Sequence, residues 1–160
     1  MVVLGEVNWY SKLELAEQQL DRAIILYLDE KDFVSAITLA AVAEEIFGKI
    51  LNKDGKKNAL DDYIEIFLSA DIDGELKDNE KWFVKELNFH RDNLKHLEVP
   101  QVKNSPHADE LPPDEIPIFE SAATVLIYRA LNNHSKLNQE SLYQTAKLNF
   151  NINRFYASEQ

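Results

Sequence analysis

The sequence predicts an all-α protein, an up-and-down antiparallel bundle of four long helices with one or two short ones. Apolar residues recur at intervals of three and four over most of the chain, and cap-forming residues precede these runs. The connections between most runs are short enough for antiparallel neighbours. At 160 residues, 45% of them hydrophobic, the chain can bury a core. We expect residues 1–135 to form the bundle and residues 136–160 a peripheral C-terminal arm.

The first helix begins at a capping box formed by Ser11 and Glu14. Apolar residues at helical spacing follow as far as Tyr27, and a charged turn over residues 29–32 ends the pattern. This is the signature of an amphipathic helix with one face in the core.

The second helix is capped by Asp32 and is apolar on almost every side, which predicts a central position. The segment Asn52 to Gly55 ends it, with Gly55 as the C-terminal residue. Glu44 interrupts the apolar stripe, so we expect it to be partly buried and to need a cation or hydrogen-bond donors. For its neighbour Glu45, the sequence is equally compatible with a buried and a solvent-facing position.

Three more helices follow. Asn58 and Asp61 open a short amphipathic helix, and a longer one runs from about Glu80 to a stop at Pro100. All five prolines lie between Pro100 and Pro117, which predicts an extended connection. The last long helix is expected to end at Asn132 and Asn133, and its predicted core face consists of Phe119, Ala122, Ala123, Leu126, Ala130 and Leu131.

The composition excludes several classes of function. The absence of cysteine excludes disulfides and thiol nucleophiles. The net charge of −11 excludes a broad basic surface for nucleic acid, so any such contact must be local. No apolar run is long enough to span a membrane, and we predict a cytoplasmic protein with no membrane partner.

Residues 69–80 match part of a calcium-loop pattern. Asp71, Asp73, Gly74 and Glu80 occupy positions 3, 5, 6 and 12 counted from Ser69. The first ligand is serine and position 9 is lysine, which favours a simple acidic turn. We therefore predict no metal or cofactor.

The stretch from Leu87 to Leu97 concentrates the chain's ionisable chemistry. It contains two of the four histidines and one of the four arginines. Arg91 and His96 lie about 140° apart on a straight helix, so they converge only if long side chains reach round it or a second chain supplies one half. Arg129 and His134 repeat the separation, but at what we predict to be a frayed helix end.

Arg91-Asp92-x-x-x-His96 in a helical bundle resembles the R-[polar]-x3-H motif of the HEPN superfamily. The apolar segment from Ile37 to Leu51, followed by a lysine-rich turn, is similar to the second helix of bacterial HEPN-like proteins. The resemblance extends over roughly residues 12–131.

The resemblance implies a homodimer with the motif helices facing each other. It implies metal-independent cleavage of RNA in a toxin, defence or RNA-processing system, with a protein or nucleotidyltransferase-type partner. Arg91 and His96 would be the catalytic pair and Asp92 would orient them. Histidine supplies proton transfer near neutral pH and arginine a fixed cation for the phosphate.

Further readings of these residues stay open. Lys95 adds positive charge beside Arg91 or is an ordinary solvated lysine. The alternative for His96 is an exposed histidine stabilised by the dipole at the helix C-terminus, because Pro100 ends that helix a turn later. Glu44 supports the site as a buried partner of Arg91, or the two form a purely structural ion pair. His90 is predicted to be a core histidine. The alternative function is a non-catalytic HEPN-like interaction module, partner-binding or antitoxin-associated.

Overall fold

A computed structural model describes residue 5 and residues 7–70, 79–95 and 116–137, apart from the side chains of Trp82 and Lys95. Within these ranges the chain is helical and contains no strand, which confirms the all-α class. The helices are α1 (Lys12–Ile25), α2 (Phe33–Lys53), α3 (Ala59–Ser69), α4 (Glu80–Lys95) and α5 (Glu120–Leu137).

The helix starts follow the predicted caps. The Ser11 hydroxyl accepts from the Glu14 backbone N–H at 3.1 Å, and the Glu14 carboxylate accepts from the Ser11 N–H at 2.7 Å. Asn58 and Asp61 form the same reciprocal pair at α3. The Asp32 carboxylate accepts from the Ser35 N–H at 3.0 Å. Each cap satisfies donors that the first helical turn leaves without a partner.

The C-terminus of α2 is a Schellman motif. Gly55 has φ +71°, and its N–H donates to the Asn52 carbonyl at 3.0 Å. The next N–H, that of Lys56, donates to the Leu51 carbonyl at 2.9 Å. Glycine suits this left-handed position because it has no Cβ to clash with the backbone.

The core lies between α1, α2 and α5. Helix α2 packs most extensively against α5 and α1, as expected for a helix with almost no polar face. The largest fully buried apolar side chains are Leu20 and Ile24 of α1, Ile37, Phe47 and Leu51 of α2, and Ile127 of α5.

Helices α3 and α4 form a thinner outer layer. In α3 the single buried residue is Ala59, and among the described side chains of α4 the buried one is Asn88. Apart from Ala59, the described apolar side chains of these helices are half-buried or exposed. Phe67 stacks on Phe83 with the ring centroids 3.9 Å apart. The two helices therefore lie against the core with much less apolar burial than α1, α2 and α5.

The first helical segment ends within the charged turn at 29–32, as predicted, but the geometry of its last turn was not predicted. The helix continues into a π-helical turn, Leu26–Glu30, and ends at Lys31 with φ 56°. The wider turn keeps Tyr27 buried, where its hydroxyl donates to Glu120 Oε1 at 3.0 Å and accepts from Thr124 Oγ1 at 3.0 Å. This turn ties the end of α1 to the start of α5.

Two expectations for α5 are wrong. The helix does not end at Asn132 and Asn133 but continues to Leu137, because Asn133 and His134 are fully buried and bonded to other helices. Phe119 precedes the helix and is 53% exposed, so it does not belong to the core face. Ala123, Leu126, Ala130 and Leu131 are buried as predicted.

Several predicted features lie outside the described residues. These are the interior of the calcium-loop pattern at 71–78, the end of the α4 region and the proline-rich connection at 96–115, and residues 138–160 of the predicted arm. In the described ranges no helix has the length and apolar character needed to cross a membrane.

Candidate functional site

Arg91 lies at the boundary between the protein interior and solvent. Its side chain is 19% exposed, and its Nε donates to Asp92 Oδ1 at 2.9 Å. Asp92, which the resemblance implies would orient Arg91 and His96, contacts the Arg91 guanidinium directly. This bond fixes one edge of the guanidinium plane.

Glu44 of α2 is buried beneath Arg91, as the sequence predicts, and 4% of it is exposed. Its Oε2 lies 3.9 Å from Arg91 Nη1, which is beyond hydrogen-bond distance. Its Oε1 accepts from Arg129 Nη2 at 2.8 Å. The main cation for Glu44 is therefore Arg129 of α5, whereas the sequence interpretation considered Arg91.

Arg129 is completely buried and connects three helices. Its Nη1 donates to the Leu87 backbone carbonyl at 2.9 Å. Its Nη2 donates to Asn88 Oδ1 at 3.1 Å as well as to Glu44. A buried guanidinium needs several acceptors, and here a carbonyl accepts from Nη1 and a carboxylate and an amide accept from Nη2, whereas the buried Nε has no hydrogen-bond partner.

The charges of this network balance. Arg91 and Arg129 supply two positive charges, and Glu44 and Asp92 supply two negative ones. Arg129 is fully buried, whereas Arg91 is partly exposed. The exposed end of the network is therefore the part that a ligand can reach.

The other half of the predicted catalytic pair lies outside the described residues. His96 follows the last described residue of α4, and Lys95 is that last residue with its side chain not described. Their roles beside Arg91 stay predictions.

The second arginine–histidine pair, Arg129 and His134, is structural. His134 is fully buried, its Nε2 lies 3.2 Å from Glu17 Oε1, and its ring packs against Phe47. Burial lowers the pKa of His134, and the Glu17 contact opposes this in part. The prediction that this pair lies at a frayed helix end is wrong.

His90 also has a packing environment. It is half-buried, its Nε2 lies 2.9 Å from the Pro117 carbonyl, and its ring meets the edges of Phe89 and Phe119. The ring is hydrogen-bonded, as expected for a packed histidine, but the prediction that it lies in the core is wrong, because His90 is only half-buried.

The motif does not single out Arg129, because the separation of Arg129 and His134 repeats that of Arg91 and His96 at a predicted helix end. A signal was present, since Leu126, Arg129 and Asn133 follow helical spacing on one stripe of α5. A cation on the apolar stripe of one helix and an acid on the apolar stripe of another are natural partners.

Other candidate sites are weaker. The described residues contain no group of three acidic or histidine side chains placed to hold a metal ion. An open groove of about 510 Å³ lies along α3 and the end of α5, and its lining residues Ala59, Asp62, Tyr63, Glu65, Ile66, Ser69 and Asn132 do not include Arg91.

The chain matches no family model, no curated protein and no solved structure. It is an all-helical protein in which a buried Arg–Glu pair underlies a partly exposed arginine.

Proposed function

We propose that the protein is a HEPN-like helical protein that cleaves RNA without a metal ion, as a homodimer in which the two α4 helices face each other. Arg91 grips the phosphate and His96 transfers protons. The proposal extends to a role in a toxin, defence or RNA-processing system.

The observation that carries this proposal is that Glu44 is hydrogen-bonded to Arg129 and not to Arg91. If Arg91 served only to neutralise a buried carboxylate, it would be the main partner of that carboxylate. Arg129 already bonds Glu44 at 2.8 Å, whereas Arg91 lies 3.9 Å away and is partly exposed. Arg91 is thus not required for the internal charge balance of Glu44, and its bond to Asp92 favours an oriented, ligand-facing role.

The chemistry suits these residue types. The 2′-hydroxyl of RNA loses a proton and attacks the adjacent phosphorus, while the 5′-oxygen leaves and takes up a proton. His96 moves protons near neutral pH. The Arg91 guanidinium is a planar donor for the charge that develops on the phosphate oxygens.

The test is RNA cleavage in EDTA by wild type and by Arg91→Ala, His96→Ala and Arg22→Ala. Loss of the acid–base group should lower kcat by about 10²–10⁴-fold, and loss of Arg91 should lower kcat/KM to a similar degree. Arg22 is the control because it forms an exposed ion pair with Glu30 on α1. Cleavage that survives in both motif variants would show that this centre is not responsible.

Dimerisation is tested separately by sedimentation equilibrium. We expect a dimer that an α4 substitution such as Lys85→Glu weakens. A monomer at assay concentration, with activity retained, would contradict the paired-motif arrangement.

One observation favours the alternative, a non-catalytic interaction module. Arg91 faces carboxylates on two sides, Asp92 at 2.9 Å and Glu44 at 3.9 Å, and a phosphate would have to compete with them. Folded wild-type protein that cleaves no RNA, together with an Arg91→Ala variant of unchanged fold, would favour this function. Partner capture would then depend on α4 without any chemistry at Arg91.

A further inference from the structure

Helix α4 carries the candidate site, yet few apolar contacts hold it to the core. Its apolar side chains Phe83, Val84, Leu87, Phe89 and Leu94 are half-buried, and among its described side chains the buried one is polar Asn88. Burying a polar side chain such as that of Asn88 costs free energy unless it is hydrogen-bonded. Arg129 supplies that bond at 3.1 Å.

The second contact of Arg129 falls at a position that determines where Arg91 lies. Arg129 Nη1 donates to the Leu87 carbonyl at 2.9 Å. In an α-helix the carbonyl of residue 87 also accepts from the backbone N–H of residue 91. A carbonyl oxygen has two lone pairs and can serve both donors. Arg129 therefore binds the same carbonyl group that accepts the helical hydrogen bond from the Arg91 backbone N–H.

The third contact fixes the same guanidinium to α2. Glu44 Oε1 binds Arg129 and Glu44 Oε2 faces Arg91, so one carboxylate orients toward both arginines. The planar fork of Arg129 thus sets the distance of α4 from α2 and the register of the turn from Leu87 to Arg91.

We propose that Arg129 is a positioning residue for Arg91, acting through the Leu87 carbonyl and Asn88. This inference rests on the proposed ribonuclease function, in which the position of Arg91 sets the rate. Arg129 does not touch RNA in this arrangement. Its effect reaches the phosphate through the placement of α4.

The test compares Arg129→Lys and Asn88→Ala with the matched control Arg22→Lys. Lysine keeps the positive charge beside Glu44 but cannot reproduce the planar fork. Asn88→Ala leaves the Arg129–Glu44 pair in place, so it serves if Arg129→Lys does not fold. Each variant is assayed for kcat and KM on RNA and for amide hydrogen exchange in α1 and α4.

We expect Arg129→Lys to lower kcat by about a hundredfold with a much smaller change in KM, because Arg91 is then misplaced relative to the phosphate oxygens on which charge develops in the transition state, whereas the rest of the RNA still binds. Exchange of residues 88–95 should be about tenfold faster, with α1 unaffected. Arg22→Lys should change neither. Wild-type kcat in folded Arg129→Lys, or faster exchange in α1 and α4 alike, would overturn the proposal, since the role would then be absent or one of general stability.

The two proposals fail in different ways. If wild type cleaves no RNA, the ribonuclease function is rejected, and the exchange experiment alone decides whether Arg129 holds the Leu87–Arg91 turn. If wild type cleaves RNA and Arg129→Lys has normal kcat and normal α4 exchange, only the positioning role is rejected.

Discussion

At the scale of single residues, the buried charge network depends on the Glu44 carboxylate, which faces both Arg129 and Arg91. Glu44 interrupts the most apolar helix, and burial of a charge there is tolerated because Arg129 donates to it at 2.8 Å. The two have almost no contact with solvent, with side-chain exposures of 5% and 0%. Removing one member of a buried pair leaves the other charge without compensation, which costs more than the pair itself contributes.

The first prediction concerns Glu44→Gln and the adjacent control Glu45→Gln. Glu44→Gln should lower the free energy of unfolding by about 3–5 kcal/mol, because Arg129 stays buried and charged. Glu45→Gln should cost less than about 1 kcal/mol, since Glu45 pairs with Lys49, whose side chain is 74% exposed. Urea denaturation measures both. Similar losses in the two variants would mean that the buried pair is not special.

A second residue-scale prediction concerns His134 and pH. Its folded-state pKa is lowered from the ordinary value of 6.5, chiefly by burial. Well above pH 6.5 His134 is neutral in both the folded and the unfolded chain, so it contributes no pH dependence there. As the pH falls below 6.5, His134 of the unfolded chain binds a proton, whereas His134 of the folded chain, with its lowered pKa, stays neutral. Stability should therefore fall with decreasing pH, by up to about 1.4 kcal/mol per pH unit from this one group.

The measurement is the free energy of unfolding of wild type and His134→Gln at about pH 7.5 and about pH 5.5. The acidic groups titrate in both proteins, so their effects cancel in the comparison. Wild type should lose more stability than His134→Gln on acidification. Equal losses, or a larger loss in the variant, would show that the folded protein accepts the proton readily.

At the scale of elements, local sequence signals predicted the helix boundaries wherever the determinants are local. The caps at Ser11, Asp32 and Asn58 and the glycine at position 55 involve residues within five positions of each other, and all are found as predicted. The end of α5 was missed because its determinants are distant. Asn133 Oδ1 accepts from the Ala59 N–H and Asn133 Nδ2 donates to the Glu44 carbonyl, and neither contact can be read from periodicity.

The prediction at this scale concerns the Schellman motif of α2. Gly55→Ala should destabilise the protein by about 1–2 kcal/mol, because φ +71° is a left-handed conformation that a Cβ disfavours. Gly55→Asn should cost less, since asparagine tolerates this region. No heavy atom lies within 4 Å of a Cβ built at position 55, so packing does not complicate the comparison. Thermal or urea unfolding that ranks alanine equal to glycine would contradict this explanation.

At the scale of the whole molecule, the chain divides its tasks between two layers. Helices α1, α2 and α5 contain the buried apolar core, whereas α3 and α4 lie outside it with half-buried apolar faces. Periodicity predicted all five helices but not this division, because an apolar stripe shows that a face is buried without showing how deeply or against what. Arg91, Asp92 and Glu44 could be selected from sequence for the same site. The apolar stripe of α5 marks Arg129 as buried, but the sequence does not show that its partners are Leu87, Asn88 and Glu44, which are 41–85 residues away.

The net charge of −11 gives the last prediction, at the same scale. An acidic protein repels RNA at long range, and salt screens that repulsion. Raising the ionic strength from about 0.01 M to about 0.1 M shortens the Debye length from about 30 Å to about 10 Å. We therefore expect kcat/KM for a long RNA to rise over this range. Basic nucleic-acid-binding proteins show the opposite trend, because added salt reduces the free energy gained when counterions are released from the nucleic acid.

A dinucleotide substrate is the control, because it carries too little charge to be affected by the long-range field of the protein. A kcat/KM that falls with salt for the long RNA would mean that cations near Arg91 outweigh the acidity of the whole molecule and guide the substrate themselves.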